Sequence, residues 1–176
     1  MAQPNDEKRP AFEIFRARDA SDYSATYPMK GLPLTETEMA GYAKMNEAGF
    51  IEGTHLKLLY ARPGLSLTYV WFKSGFPLPR HSHSADCLYF IVAGSLTISS
   101  EELGPGDGFF VGTDVPYSYV PGENGVEVLE IRTSDDFDFR MLADNASYWE
   151  KALAGLLAVK AHWPEEKAPP SGLAVG

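Results

Sequence analysis

Residues 75–96, GFPLPRHSHSADCLYFIVAGSL, decide how this chain is read. They open on Gly75, pass two prolines, and reach the densest chemical signal in the sequence, His81-Ser82-His83. On an extended segment, residues i and i+2 point to the same side. Two imidazoles so placed can share one ion, and imidazole suits Zn, Cu, Fe and Ni. The plain alternative is a pair of surface histidines in a loop, since short motifs carry a high false-positive risk. After His83 the run Cys87–Val92 reads as a strand. If Cys87 points inward, Tyr89 and Ile91 follow it.

Outward from this stretch the pattern continues as short apolar or alternating runs. His55–Tyr60 and Leu65–Phe72 precede it; Ser95–Ser99, Gly108–Val111, Tyr117–Val120 and Val126–Arg132 follow. The breaks hold Pro63-Gly64, Ser74-Gly75, Gly94, Gly104-Pro105-Gly106, Pro116 and Pro121-Gly122. Closely spaced strands with glycine and proline punctuation predict an all-β sandwich or small barrel. No alternation with helices supports a parallel α/β sheet.

Helices flank this region. Thr35 and Glu38 form a capping box for a helix over 35–48, with Gly49 as its stop. Ser147 and Glu150 suggest a second box for a helix from Tyr148 to Lys160. The expected organisation is a disordered terminus over 1–10, an arm and helix over 11–53, a barrel over 54–140, a helix over 141–164, and a loose tail over 165–176. Within the arm, Tyr23, Tyr27, Pro28, Leu32 and Leu34 suit packing against a partner subunit, so a homodimer is expected.

Composition narrows the partners. A 176-residue chain fits one domain, and 44% hydrophobic residues support a folded globule. The formal charge of −9 repels phosphate backbones and anionic lipid, so neither nucleic acid nor membrane is an expected partner. The only cysteine, Cys87, rules out an internal disulfide. The polar N-terminus carries no apolar stretch suited to a signal peptide, and no long apolar run spans a membrane. A cytoplasmic location is the expectation.

The order glycine, five residues, H-x-H, three residues, a ligand position, six residues, glycine resembles the first cupin motif. LGPGDGFFVGTDVPYSYV, residues 103–120, resembles the second from Gly106-Asp107 onward. The resemblance covers about residues 65–132. It implies a single-domain, RmlC-like antiparallel β-barrel or jelly roll of six to eight strands or more, with a ligand pocket in its mouth. In typical cupins two histidines, a glutamate and a later histidine hold a divalent metal. Here the glutamate position falls on Cys87, the later histidine on Tyr117, and the usual proline of the second motif on Gly112. Only His81 and His83 carry over as ligands.

The resemblance therefore implies a divalent transition metal (Fe, Zn, Mn or Ni) at His81 and His83, with weaker candidates to complete its shell. Cys87 as thiolate favours softer metals; as a thiol it is a small hydrophobe in a core. Tyr117 would have to ionise from a reference pKa near 10. Asp86 enters only if its strand kinks, and His55 only if it turns inward. Cupin-fold thiol dioxygenases, which also carry cysteine near this position and in some cases link it to a tyrosine, make Tyr89, Tyr117 and Tyr119 partners to consider. Tyr117, Cys87 and Tyr89 are accordingly the candidate catalytic residues. Three functions remain open: a metal-dependent oxygenase, isomerase or lyase acting on a small organic molecule; a small-ligand-binding or sensor cupin without metal; and a dimerisation scaffold.

Overall fold

The structure is a computed structural model that describes residues 11–22 and 28–175. The expectations for residues 1–10, Tyr23 and Tyr27 lie outside these. In chain order the elements are β1 (Ser21–Asp22), β2 (Met29–Gly31), α1 (Glu36–Glu47), β3 (Thr54–Arg62), β4 (Leu65–Phe72), β5 (His81–His83), β6 (Cys87–Ile98), β7 (Glu101–Leu103), β8 (Gly108–Val111), β9 (Val120–Arg132), β10 (Phe137–Met141) and α2 (Ala146–Lys160). They form two sheets and a helix pair. The large sheet runs β1-β3-β4-β9-β6-β7, with β8 also paired to β6; the small sheet runs β2-β10-β5. All described pairings are antiparallel except β2 with β10. This is the jelly-roll-like all-β arrangement with flanking helices that the sequence leads one to expect.

Register sorts the two faces of the large sheet. Cys87, Tyr89 and Ile91 are buried on β6 while Leu88 and Phe90 are exposed, so strict alternation holds. Their cross-strand partners on β9 are Arg132, Glu130 and Val128, and β4 continues these rows with Ser66, Thr68 and Val70. The inner face is thus polar at one end and apolar at the other.

Three local expectations need correction. Cys87–Val92 and Ser95–Ser99 are one strand, because Gly94 makes a bulge instead of a turn, with register shifts on either side of it. Gly94 has φ +72°, and a Cβ there would run into the Gly125 carbonyl oxygen. Tyr117–Ser118-Tyr119 is not a strand; Tyr117 makes an isolated bridge to His81. The second helix begins earlier than its Ser147/Glu150 box implies. Asn145 caps it, its side chain accepting from the backbone N–H of Ser147 (2.9 Å) and Tyr148 (3.4 Å).

The Thr35/Glu38 capping box is present. Glu38 does more than cap: Oε2 accepts from Thr35 N–H at 3.0 Å, and Oε1 accepts from Ala143 N–H at 3.0 Å. α2 buries Trp149, Ala152 and Leu156, one face at i, i+3 and i+7. Gly41 makes the seat for Trp149, since any Cβ at 41 would collide with the indole. Below the helices, Phe76 stacks with Phe72 and packs near Phe50 and Trp163.

The arm and tail also join the fold. Residues 29–31 pair with β10 of the same chain. Ser171, in the segment expected to be loose, donates through N–H (2.6 Å) and Oγ (2.8 Å) to Glu127 on the outer face of β9. No helix among the described residues is long and apolar enough to cross a membrane.

Candidate functional site

The motif histidines belong to the small sheet and face the polar end of the large one. His81 pairs with Met141 and His83 with Phe139 across β5–β10. Both rings are buried, with centroids 5.1 Å apart. Phe139 stacks on His81 at 5.0 Å, and Tyr117 lies 4.4 Å from the same ring.

Each imidazole spends one nitrogen on backbone. His81 Nδ1 lies 2.7 Å from the Pro79 carbonyl, and His83 Nδ1 lies 3.1 Å from the Asp138 carbonyl. A carbonyl only accepts, so both Nδ1 atoms carry the proton and both Nε2 atoms keep a lone pair. Burial, above all, keeps the rings neutral. It lowers His81 to about 4, with Arg132 adding to the effect, and His83 to about 2, with Arg132 and then His81 adding.

A hydroxyl and guanidinium network adjoins them. The phenols of Tyr89 and Tyr117 are hydrogen-bonded to each other. Arg132 donates through Nη2 to Tyr89 Oη at 3.3 Å and through Nη1 to Glu130 Oε2 at 2.6 Å. Phe137 lies over the guanidinium at 4.6 Å. Burial opposes the charge on Arg132, but the Glu130 carboxylate holds it protonated. Its Nε is buried without a hydrogen-bond partner. Burial also pushes Tyr89, Tyr117 and Tyr119 upward, so all three stay phenols.

The candidate residues divide cleanly. His81, His83, Cys87, Tyr89 and Tyr117 line one interior region. Asp86 does not join them. Its Oδ1 accepts from Thr113 N–H (2.7 Å) and Thr113 Oγ1 (2.9 Å), so the carboxylate is committed to the loop after β8. His55 lies on the opposite face of the large sheet, registered with Trp71 at 6.3 Å between ring centroids. Trp71 belongs to that outer face too, and Phe110 is exposed there; Phe109 stacks on Tyr89 at 4.5 Å. Arg132 and Glu130 are the members that sequence reading missed. Their signal is alternation in Val126–Arg132, which puts two charged residues on the same face as Val126 and Val128.

This donor set does not assemble a conventional metal centre. Among the described residues, no three of His, Cys, Asp and Glu are grouped to hold an ion. Burial pushes the Cys87 thiol up to about 12, and the Sγ–H points at the Leu88 carbonyl at 3.8 Å. Tyr117 is a phenol, Glu130 is taken by Arg132, and that guanidinium raises the cost of adding a dication nearby. What is left for an ion is two neutral nitrogens.

Among the described residues, surface cavities lie elsewhere. One of about 610 Å³ is lined by Gly75, Pro121, Val159 and His162 among others; others of about 380 and 370 Å³ adjoin the arm and the Trp71–Trp163 region. None of the three includes His81 or His83.

No protein-family model matches the chain, and no curated protein matches it. Solved structures do. A RmlC-like cupin from Shewanella frigidimarina is 22% identical with a TM-score of 0.43, over 47% of this chain and 78% of that one. The polyketide cyclase RemF from Streptomyces resistomycificus is 18% identical with a TM-score of 0.49, over 59% and 84%. The DMSP lyase DddQ from Ruegeria pomeroyi is 25% identical with a TM-score of 0.45, over 49% of each chain.

Proposed function

We propose that this cupin-like protein binds a small, polar organic molecule between its two sheets, at His81, His83 and Arg132, without a resident metal. The observation that carries the reading is a set of unused hydrogen-bonding capacities in one buried region. The Nδ1 bonds of two neutral imidazoles leave each an Nε2 lone pair, and the buried guanidinium has an Nε–H without a partner. Unused buried polar groups are costly unless something satisfies them. The complementary ligand carries hydroxyl or amine hydrogens for the imidazoles and an oxygen acceptor for Arg132. Phe137, Phe139 and the Tyr89–Tyr117 pair supply the apolar and hydroxyl walls that such sites combine. Binding or sensing, more than catalysis, suits rings whose basicity burial has suppressed.

A second reading keeps a transition metal on the two imidazoles, with the rest of its shell filled by solvent or ligand. The feature favouring it is the orientation of both rings by backbone carbonyls through Nδ1, the arrangement that prepares histidine for ligation. An oxygenase, isomerase or lyase would then follow.

Two measurements separate these readings. Elemental analysis of protein purified without added metal is expected to show only trace transition metal, equal in wild type and in His81→Ala/His83→Ala. One equivalent in the wild type, lost in the double variant, overturns the metal-free reading and establishes the second. Thermal shift against a panel of hydroxy acids and simple sugars is expected to raise the wild-type melting temperature for some members. His83→Ala and Arg132→Met should abolish that rise; a rise retained in both variants places the ligand elsewhere.

A further inference from the structure

On the outer face of the large sheet, one cross-strand row is held at both ends and left unpaired in the middle. His55, Trp71 and Glu127 stand side by side across β3, β4 and β9. The C-terminal segment takes the two flanks: His55 is hydrogen-bonded to the Val175 backbone, and Glu127 accepts from Ser171. Trp71 between them is 8% exposed, and its Nε1–H has no partner. The other two indoles of the chain are satisfied, Trp149 by the Ala143 carbonyl at 2.8 Å and Trp163 by the Ser74 carbonyl at 2.9 Å. Trp71 lines a groove of about 370 Å³ with Thr54, His55, Lys73 and Trp163 among others. Thr54 Oγ1 is likewise buried without a partner. Two unpaired buried polar atoms thus belong to the walls of one groove, and such atoms are costly to leave unsatisfied.

We infer that this groove binds a neutral polyhydroxylated molecule the size of a monosaccharide. Its volume lies at the lower end of small-ligand sites, about 300–1,000 Å³. Charge argues for neutrality. Lys73 and Lys167 line the groove together with Glu52 and Glu166, so the formal charges cancel. Burial lowers the pKa of His55, which therefore adds no charge at neutral pH. An anion would meet Glu166 and the Glu127 carboxylate beside Trp71, and a cation would meet the two ammoniums.

Hydroxyl chemistry fits the walls. An indole N–H only donates, whereas a hydroxyl donates once and accepts twice. One ligand hydroxyl can take the Trp71 hydrogen, and another can bond Thr54 Oγ1 in either sense. Lys73 Nζ lies 5.7 Å from the centre of the Trp71 ring and donates to the Trp163 carbonyl at 3.1 Å, which leaves two of its three hydrogens for a ligand. Glu52 and Glu166 offer acceptors, even with Lys160 at 3.0 Å from the first and the Ser74 N–H at 3.0 Å from the second. The groove is separate from the interior site, since Trp71 faces outward while Val70 and Phe72, its neighbours on β4, belong to the core.

The test is heteronuclear NMR on the full chain, reading the indole N–H signals of its three tryptophans after triple-resonance assignment. D-glucose, D-galactose and myo-inositol are titrated in turn, with sodium acetate and putrescine as charged controls. At least one neutral probe is expected to move the Trp71 signal downfield and to saturate, while the Trp149 and Trp163 signals hold still. Calorimetric titration with that probe should show binding at least tenfold weaker in Trp71→Phe and unaltered in His83→Ala. Absence of a saturable Trp71 shift with all three neutral probes overturns the proposal, as does an equal shift with acetate or putrescine. Affinity kept in Trp71→Phe, or lost in His83→Ala, overturns it too, the latter by placing the probe between the sheets. If Trp71→Phe unfolds, Lys73→Met/Lys167→Met must weaken binding at least threefold, and unaltered affinity then counts against the groove.

Discussion

Glu127 and Glu130 leave the same strand three residues apart and reach opposite faces of the large sheet, where they meet opposite fates. On the outer face Glu127 is closed off by neutral donors: Tyr69 Oη at 2.6 Å and Ser171 through both N–H and Oγ. Its acceptor capacity is used. On the inner face Glu130 meets the buried cation Arg132, whose Nε finds no partner, beside two imidazoles whose Nδ1 bonds leave Nε2 a lone pair. The Glu127 carboxylate is fully satisfied and serves cohesion, although Trp71 Nε1 on the same face is buried without a partner. What sets the inner face apart is a buried cation with an unpaired donor, a group that calls for an explanation in a native interior.

The largest expected effect is on the inner pair. Arg132→Met leaves Glu130 without its counter-ion and should lower unfolding free energy by about 3–5 kcal/mol in urea titration. Adding Glu130→Gln should recover a good part of the loss. A cost under about 1 kcal/mol would erase the contrast between the faces.

Next comes pH. The folded pKa values of His81 and His83 lie near 4 and 2, below an unfolded value near 6.5. The unfolded chain therefore binds protons first, so stability is full above pH 6.5 and falls as pH drops toward 4. Each ring contributes up to about 1.4 kcal/mol per pH unit. Between pH 7 and 5 the wild type should lose about 2–4 kcal/mol more than His81→Gln/His83→Gln. Equal losses would mean the rings are not held neutral.

Smaller effects sharpen the outer half. Tyr69→Phe removes one of three donors to Glu127 and should cost about 1–2 kcal/mol. Ser171→Ala keeps the backbone donor and should cost about 1 kcal/mol or less. Its clearer sign is faster hydrogen exchange in residues 165–175. A larger cost for Ser171 than for Tyr69 would reverse the assigned order.

Much of this was legible in the sequence because it rests on period and spacing. Strand alternation is strict on β6, so Cys87, Tyr89 and Ile91 could be placed on one face before any coordinates. His81, His83 and Tyr117 followed from motif spacing. What escaped depends on register between distant strands. Arg132 stands opposite Cys87, 45 positions earlier in the chain, through hydrogen bonding between β6 and β9 that no local pattern encodes. Asp86 illustrates the converse. Its neighbourhood in sequence made it a ligand candidate, while its hydrogen bonds to Thr113 come from the loop after β8. Asn145 displaced Ser147 as a helix cap because both residue types cap well, and tertiary placement chose between them.

The carboxylate of Glu38 ties the first helix to the far end of the chain. It holds the N-terminus of α1 with one oxygen and the backbone at Ala143, 105 positions away, with the other. Neither side of the clasp can close alone: a chain cut before Ala143 loses the tie on the N-terminus of α1. Closing this clasp must await the synthesis of Ala143, and it is a contact of high sequence separation, the kind whose loop closure costs most before it is rewarded.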